Sequence, residues 1–397
     1  MRSAIAASAL CLLLFCGVWA TQASDPTFSA RDQTSLALRL YRSASGEGVN
    51  TLVSPFSIYG VLGMAYWGAS GATAEQFARL LGQRQHPASF LWIFARPAAS
   101  VEADCRQAQC TLKVHNAVWI RKGRPLDQGF SQVLKGFYET QAVDLDFASD
   151  PEAACKTINS WVERQTAGKI ADLLPSGSPS AASSVVLTSA VCFRGTWATA
   201  FDRDETADAP FTLFDGTNIM APTMRVTGQF AYSENERCQA LEMPYADSPY
   251  SMVVLLPRGH DEIRDFDAWL NGQSLARLLD DMSSDRVQVS LPRFTIRFKI
   301  SLARHLQAMG LTDAFSSPPA DFSGMDGSKD LYISDVVHGA VLEVSEEGTE
   351  TATGAQPIDT SNRQVKEFTA DRPFLFFIRH RETGSIILIG CILHPLR

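Results

Sequence analysis

The stretch Leu342–Thr353, reading Leu-Glu-Val-Ser-Glu-Glu-Gly-Thr-Glu-Thr-Ala-Thr, limits what this chain can fold into more than any other segment. It leaves an apolar strand end, turns acidic at Glu346 and Glu347, and passes through Gly348 into small and hydroxyl side chains. A polar loop follows, and then the intensely apolar Phe374–Ile378. Side chains of an extended chain alternate with a period of two, so Thr349, Thr351, Thr353 and Ala355 share one face. That face is small enough to slip between two existing strands. A loop able to become a strand would be a stored conformational change.

The N-terminus reads as a leader rather than as part of the fold. Met1-Arg2-Ser3 precedes an apolar run from Ala4 to about Trp19, and Thr21-Gln22-Ala23 offers small residues for a signal peptidase. Residues 1–23 are expected to be removed, which places the protein on a secretory route. No later stretch approaches the roughly 20 apolar residues of a membrane span, so no membrane association is expected. Two of the eight cysteines, Cys11 and Cys16, go with the leader; Cys105, Cys110, Cys155, Cys192, Cys238 and Cys391 remain. An oxidising compartment permits a Cys105–Cys110 bridge across a local turn. The alternative is six free, buried thiols packed as small hydrophobes. No Asn-x-Ser/Thr sequon occurs.

The whole chain sets 35 basic against 43 acidic residues, and losing Arg2 brings the formal net charge from −8 to −9. That sign argues against a nucleic-acid partner. The basic groups that cluster, Arg121, Lys122 and Arg124 or Arg293, Arg297, Lys299 and Arg304, read as solvated faces, and a heparin-like polyanion is not expected. There is no Gly-x-Ser-x-Gly elbow, His-Glu-x-x-His, phosphate loop or Cys-x-x-Cys, and the histidines lack metal spacing. Neither catalysis nor a cofactor is expected.

No Pro/Gly/Ser-rich linker and no repeat interrupts residues 30–397, so residues 24–397 read as one domain. Apolar residues recur at helical spacing in Leu36–Tyr41, Ile58–Trp67, Ala74–Leu81, Phe130–Tyr138 and Ile158–Trp161. Strand-like runs dominate later: Val185–Phe193, Ala240–Met243, Met252–Leu256, Val287–Leu291, Phe294–Phe298, Val341–Val344, Phe374–Ile378 and Ile386–Ile389. Glu382-Thr383-Gly384 reads as the hairpin turn between the last two. Helices early and strands late favour an α+β fold.

Several segments, in order, resemble one family. Leu52-Val53-Ser54-Pro55-Phe56-Ser57-Ile58, Asn116-Ala117-Val118-Trp119-Ile120, Ile158-Asn159-Ser160-Trp161-Val162 and Thr166-Ala167-Gly168-Lys169-Ile170 come first. Phe193-Arg194-Gly195-Thr196-Trp197, Leu291-Pro292-Arg293-Phe294 and His338-Gly339-Ala340-Val341 follow, and then the segment at Gly348. Together they are similar to the serpins over roughly residues 30–397. The resemblance implies N-terminal helices packed on a large, mostly antiparallel central sheet, with smaller sheets and an exposed reactive-centre loop at about 346–370. Its hinge would be Glu346, Glu347, Gly348, Thr349, Glu350, Thr351, Ala352 and Thr353. Ser54, Ser57, Asn116, Ser189, Trp197 and His338 would lie where the central strands part. Their hydrogen bonds would close the sheet and re-form after a strand enters. Ser189 stands where the family commonly carries Asn, so this latch has a shorter reach and fewer donors. The plain alternative is that Ser54, Ser57 and His338 are satisfied buried groups and Trp197 is core.

The family register places the bait bond at Asn362-Arg363. A protease with an acidic S1 pocket would instead prefer to cut at Arg363-Gln364. The resemblance implies covalent trapping of a serine protease as an acyl-enzyme, the freed segment becoming a new strand. Pro357 lacks an N–H, and Asp359 shares the inward face of Thr349, so both would slow the end of insertion. The alternative is a non-inhibitory serpin used for binding, transport or chaperone work. The protein is expected to be a monomer, with loop-sheet polymers as its hazard.

Overall fold

A computed structural model describes residues 30–46, 48–82, 87–91, 94, 98, 101–104, 110–259, 263–347 and 365–397. Strands are numbered in chain order: β1 Thr51–Val53, β2 Cys110–Arg121, β3 Ala142–Leu145, β4 Val185–Gly195, β5 Ala207–Thr212, β6 Asn218–Glu234, β7 Cys238–Pro244, β8 Tyr250–Pro257 and β9 Ser283–Pro292. The rest are β10 Phe294–Ser301, β11 Ile333–Val344, β12 Lys366–Thr369, β13 Phe374–His380 and β14 Ile386–Ile392. They form two sheets.

The five-stranded sheet has the order β10-β11-β4-β2-β3. Its β10–β11 and β4–β2 ladders are antiparallel, while β11–β4 and β2–β3 are parallel. The nine-stranded sheet runs β1-β14-β13-β8-β7-β6-β9-β12, with β5 paired to β6, and is antiparallel except for β12 on β9. Gly384 takes φ +71° in the turn between β13 and β14, as the Glu382-Thr383-Gly384 reading expects.

A helix buried on all sides joins the two sheets. Ser54 caps Pro55–Gly68 by accepting from the Ser57 N–H, Pro55 opens the first turn, and nearly every residue that follows is buried. A helix that is apolar all round belongs in a core, and this one packs against β2, β4 and β14. Gly60 is required where the helix meets β2, since a Cβ there would stand 2.8 Å from Asn116 Nδ2. The opposite face of the five-stranded sheet carries the outer helix Pro151–Gln165, whose Ala154, Ile158 and Val162 pack on Ala117 and Trp119 of β2 and on Val186 and Ala190 of β4. The far face of the nine-stranded sheet is covered by Ala30–Ala44, Ile263–Trp269 and Gly272–Asp280. Among the described residues no helix is long and apolar enough to cross a membrane.

Cys110 is disulfide-bonded, so the reading of six free thiols fails; Cys155, Cys192, Cys238 and Cys391 are free and buried. Cys105 lies outside the described residues.

Candidate functional site

The ladders place four side chains in one row across the five-stranded sheet. Ile300 of β10 pairs with His338 of β11, His338 with Ser189 of β4, and Ser189 with Asn116 of β2. This row faces the buried helix. His338 is fully buried, and the Ser54 N–H donates to its Nε2 at 3.0 Å. Nε2 therefore carries no proton, and Nδ1–H is left to donate to Ser189 Oγ, 3.0 Å away. The Ser57 hydroxyl donates to Asn116 Oδ1 at 2.9 Å, so the 2.6 Å contact between Ser189 and Ser57 runs from the Ser189 hydroxyl. Asn116 Nδ2 closes the circuit by donating to the Ser57 carbonyl at 3.0 Å. Every proton in the chain His338, Ser189, Ser57, Asn116 has one direction.

Ser54 extends the network into the second sheet, its hydroxyl donating to the Ile387 carbonyl of β14 at 2.7 Å. Burial holds the His338 pKa down to about 3, against a smaller opposing effect from a hydrogen bond with the Ser189 backbone. The ring is neutral at ordinary pH. Ser189 reaches both of its partners directly, so the shorter side chain still completes the hydrogen-bonded network. Five of the six expected sheet-opening residues, Ser54, Ser57, Asn116, Ser189 and His338, form one hydrogen-bonded cluster spanning the β11–β4 seam.

The sixth, Trp197, lies past the end of β4, where the chain leaves β11. It is both core and anchor. Its ring stacks on Tyr245 at 4.6 Å, and its Nε1–H donates to the Ser345 carbonyl at 3.0 Å. The neighbouring stem is pinned more firmly than a free loop would be. Glu346 is only 4 % exposed; its carbonyl accepts from the Phe201 N–H, and its carboxylate accepts from Thr206 Oγ1 at 2.9 Å and faces Arg293 at 3.5 Å. Glu347 pairs with Arg203, and its carbonyl accepts from the Trp197 N–H. Arg293 is thus an ion-pair partner rather than a plain solvated charge. Sequence reasoning did not find Phe201, Arg203 and Thr206, because nothing in residues 196–206 signals a partner about 140 positions away.

The other end of the loop is also held. β12 pairs with β9 over four residues, and Lys366 binds Glu234 at 2.8 Å, which Arg258 also reaches at 2.7 Å. Hydrogen bonds from Lys366 and Arg258 lower the Glu234 pKa to about 2. Of the expected hinge, Gly348, Thr349, Glu350, Thr351, Ala352 and Thr353 lie outside the described residues, as do Pro357, Asp359 and the bait positions Asn362, Arg363 and Gln364. Among the described residues no group of His, Cys, Asp and Glu could hold a metal ion.

Fold and network define a class: an α+β fold whose five-stranded sheet carries a parallel β11–β4 ladder bridged by buried polar groups. Residues 31–395 match the family Serpin (serine protease inhibitor), and the chain belongs to that family. It is 35% identical over 366 residues to an uncharacterized serpin-like protein of Thermococcus kodakarensis, covering 91% of this chain and 84% of that one. It is also 35% identical over 381 residues to the human leukocyte elastase inhibitor, covering 92% and 99%. The crystal structure of uncleaved ovalbumin superposes with a TM-score of 0.86 at 26% identity, covering 92% of this chain and 99% of ovalbumin.

Proposed function

We propose that this protein inhibits a serine protease once per molecule, trapping it as an acyl-enzyme while residues 348–362 enter the β11–β4 seam as a new strand. The parallel β11–β4 ladder is the observation that carries this reading. A segment leaving the end of β11 and turning back lies antiparallel to both neighbours. One parallel ladder is then exchanged for two antiparallel ones, the better pairing per residue. Insertion is therefore downhill once the latch opens, and the latch groups supply the barrier.

The remaining steps follow from length and chemistry. A protease attacks the loop and forms an ester with the residue at the cut. The segment then draws that ester roughly 50 Å at about 3.3 Å per residue. An oxyanion hole needs its donors in place, so pulling on the acylated serine stops hydrolysis. Arg363 suits a trypsin-like S1 pocket and is our preferred bait, with Asn362 the choice of the family register. The names of the elastase-inhibitor relatives support a serine protease as partner. The leader-like residues 1–23 support delivery to a secretory lumen or beyond the cell, with residues 24–397 as the working domain.

Incubation of residues 24–397 with trypsin and with an elastase tests the proposal. A denaturation-resistant band at the summed mass is expected, with release of a C-terminal peptide whose first residue is Gln364 or Arg363. Clean cleavage without that band for both proteases, and no gain in heat stability of the cut protein, would replace trapping with a non-inhibitory binding role.

A further inference from the structure

One residue along from the latch, a second row crosses the same strands: Lys299 of β10, Gly339 of β11, Ala190 of β4 and His115 of β2. Alternation turns this row to the opposite face of the sheet. There the segment 166–174, which follows the outer helix, lies over the seam. Its Ile170, Leu173 and Leu174 are buried with Val337 and Val341 of β11 and with Val186 of β4. The approach is tightest at Gly339, where a Cβ would stand 2.8 Å from Leu173 Cδ1.

This strap is tied at both sides of the seam. On the helix side, Asn159 accepts from the Leu174 N–H at 2.8 Å and donates to the Leu174 carbonyl at 2.9 Å. Thr166 Oγ1 accepts from the Ile170 N–H at 3.1 Å. On the other side, beyond β11, Lys299 Nζ donates to the Ala171 carbonyl at 2.5 Å and to the Asp172 carbonyl at 3.1 Å. Asp172, at φ +49°, is where the strap turns. Lys299 is exposed, as its reading in a solvated face expects, and its head spans from the edge strand to the strap.

We propose that Lys299 is the outer fastener of the β11–β4 seam, its ammonium clasping the strap so that β10 and β11 are held against β4. The inference rests on the strand-insertion reading. A strand entering the seam moves β10 and β11 away from β4 by one inter-strand spacing, about 4.8 Å. Hydrogen bonds of 2.5 and 3.1 Å cannot survive that displacement. Either they break, or the strap leaves the helix, before the strand seats. Because the outer row adjoins the latch row, both fasteners yield in the same step of opening. Lys299 is a positioning residue: it acts through the strap and needs no contact with the protease.

Lys299→Met keeps the length of the stem and removes the charge, Lys299→Gln is a second neutral variant, and Lys299→Arg keeps the donors. The direct readout is the rate at which an N-acetylated synthetic peptide copying residues 348–361 anneals into the full chain, followed by native gel. Both neutral variants should anneal about three- to ten-fold faster than the natural protein, the scale of a charge-assisted hydrogen bond partly offset by water. Lys299→Arg should stay within about twofold, and amide exchange in residues 169–174 should rise in the neutral variants alone. If the natural protein and the neutral variants anneal at one rate, the clasp is wrong and insertion stands. If none anneals, and cutting the loop brings no gain in heat stability, the insertion reading falls and the clasp falls with it.

Discussion

Ser189 occupies a position that asks for an acceptor and a donor at once, and a hydroxyl supplies both. Ser189→Ala removes the side-chain acceptor of the His338 N–H and the donor to the Ser57 hydroxyl, both buried. The unfolding free energy in urea should fall by about 1–3 kcal/mol. His338 adds a pH dependence of known sign. Its folded pKa is lowered from 6.5 to about 3 by burial, so the unfolded chain takes up the proton first as pH falls. The stability tied to the neutral ring is complete above pH 6.5 and is lost between pH 6.5 and 3, by up to about 1.4 kcal/mol per pH unit. His338→Gln should flatten that slope. Urea titrations of both proteins from pH 7 to pH 4 check it, and parallel stability profiles would contradict the assignment.

At the scale of strands, the seam offers its own lock. Cys192 is free, buried and directly paired with Val341 across β11–β4. Paired strands bring two Cα atoms within disulfide range. Burial raises the Cys192 pKa, so an added oxidant is needed to close a bond with the thiol of Val341→Cys. Closure should abolish the covalent protease complex, and reductant should restore it; a complex formed by the locked protein would show that the strand enters elsewhere. In this sheet β4 was legible because it is buried on both faces and reads as a continuous apolar run, whereas of β11 only Val341–Val344 was read as strand, since Ser334, Asp335, His338 and Gly339 interrupt its apolar pattern, and β2 was reached only through the resemblance at Asn116–Ile120. β6 was not legible, since Pro222 and Gly228 break its pattern and it passes between partners, β5 at one end and β7 at the other. Nor did periodicity find the short helices Ile263–Trp269 and Gly272–Asp280. For the latch, Ser54, Ser57 and His338 were found through resemblance. That Ser189, His338 and Asn116 stand in one row depends on the register of strands more than 70 residues apart, which no local pattern encodes.

For the molecule as a whole, the proposed strand insertion requires the native state to be a less stable arrangement than the same chain after its loop is cut. Cleavage between residues 358 and 363 by a protease that escapes trapping should raise the thermal midpoint by more than about 10 °C, equivalent to a few kcal/mol in a chain of this size. Scanning calorimetry of the cut and uncut protein measures it directly, and an unchanged midpoint would mean the segment stays outside. On the same proposal, a seam open to its own segment would be open to one from a neighbour. Warming concentrated protein should produce a ladder on native gels, and prior annealing of the 348–361 peptide should suppress it. The two rows of fasteners have a further consequence, for how such a chain tolerates change in length. One residue gained or lost in β4 before Ser189 would turn every later side chain to the other face. The hydroxyl would then face the strap, and the residue opposite His338 would be Ala190 after a loss or Thr188 after a gain. Insertions and deletions should therefore be accepted in turns such as 213–217 and 381–385, and refused within β4 and β11. Related chains would drift in the length of their loops while holding these two strands to a fixed count.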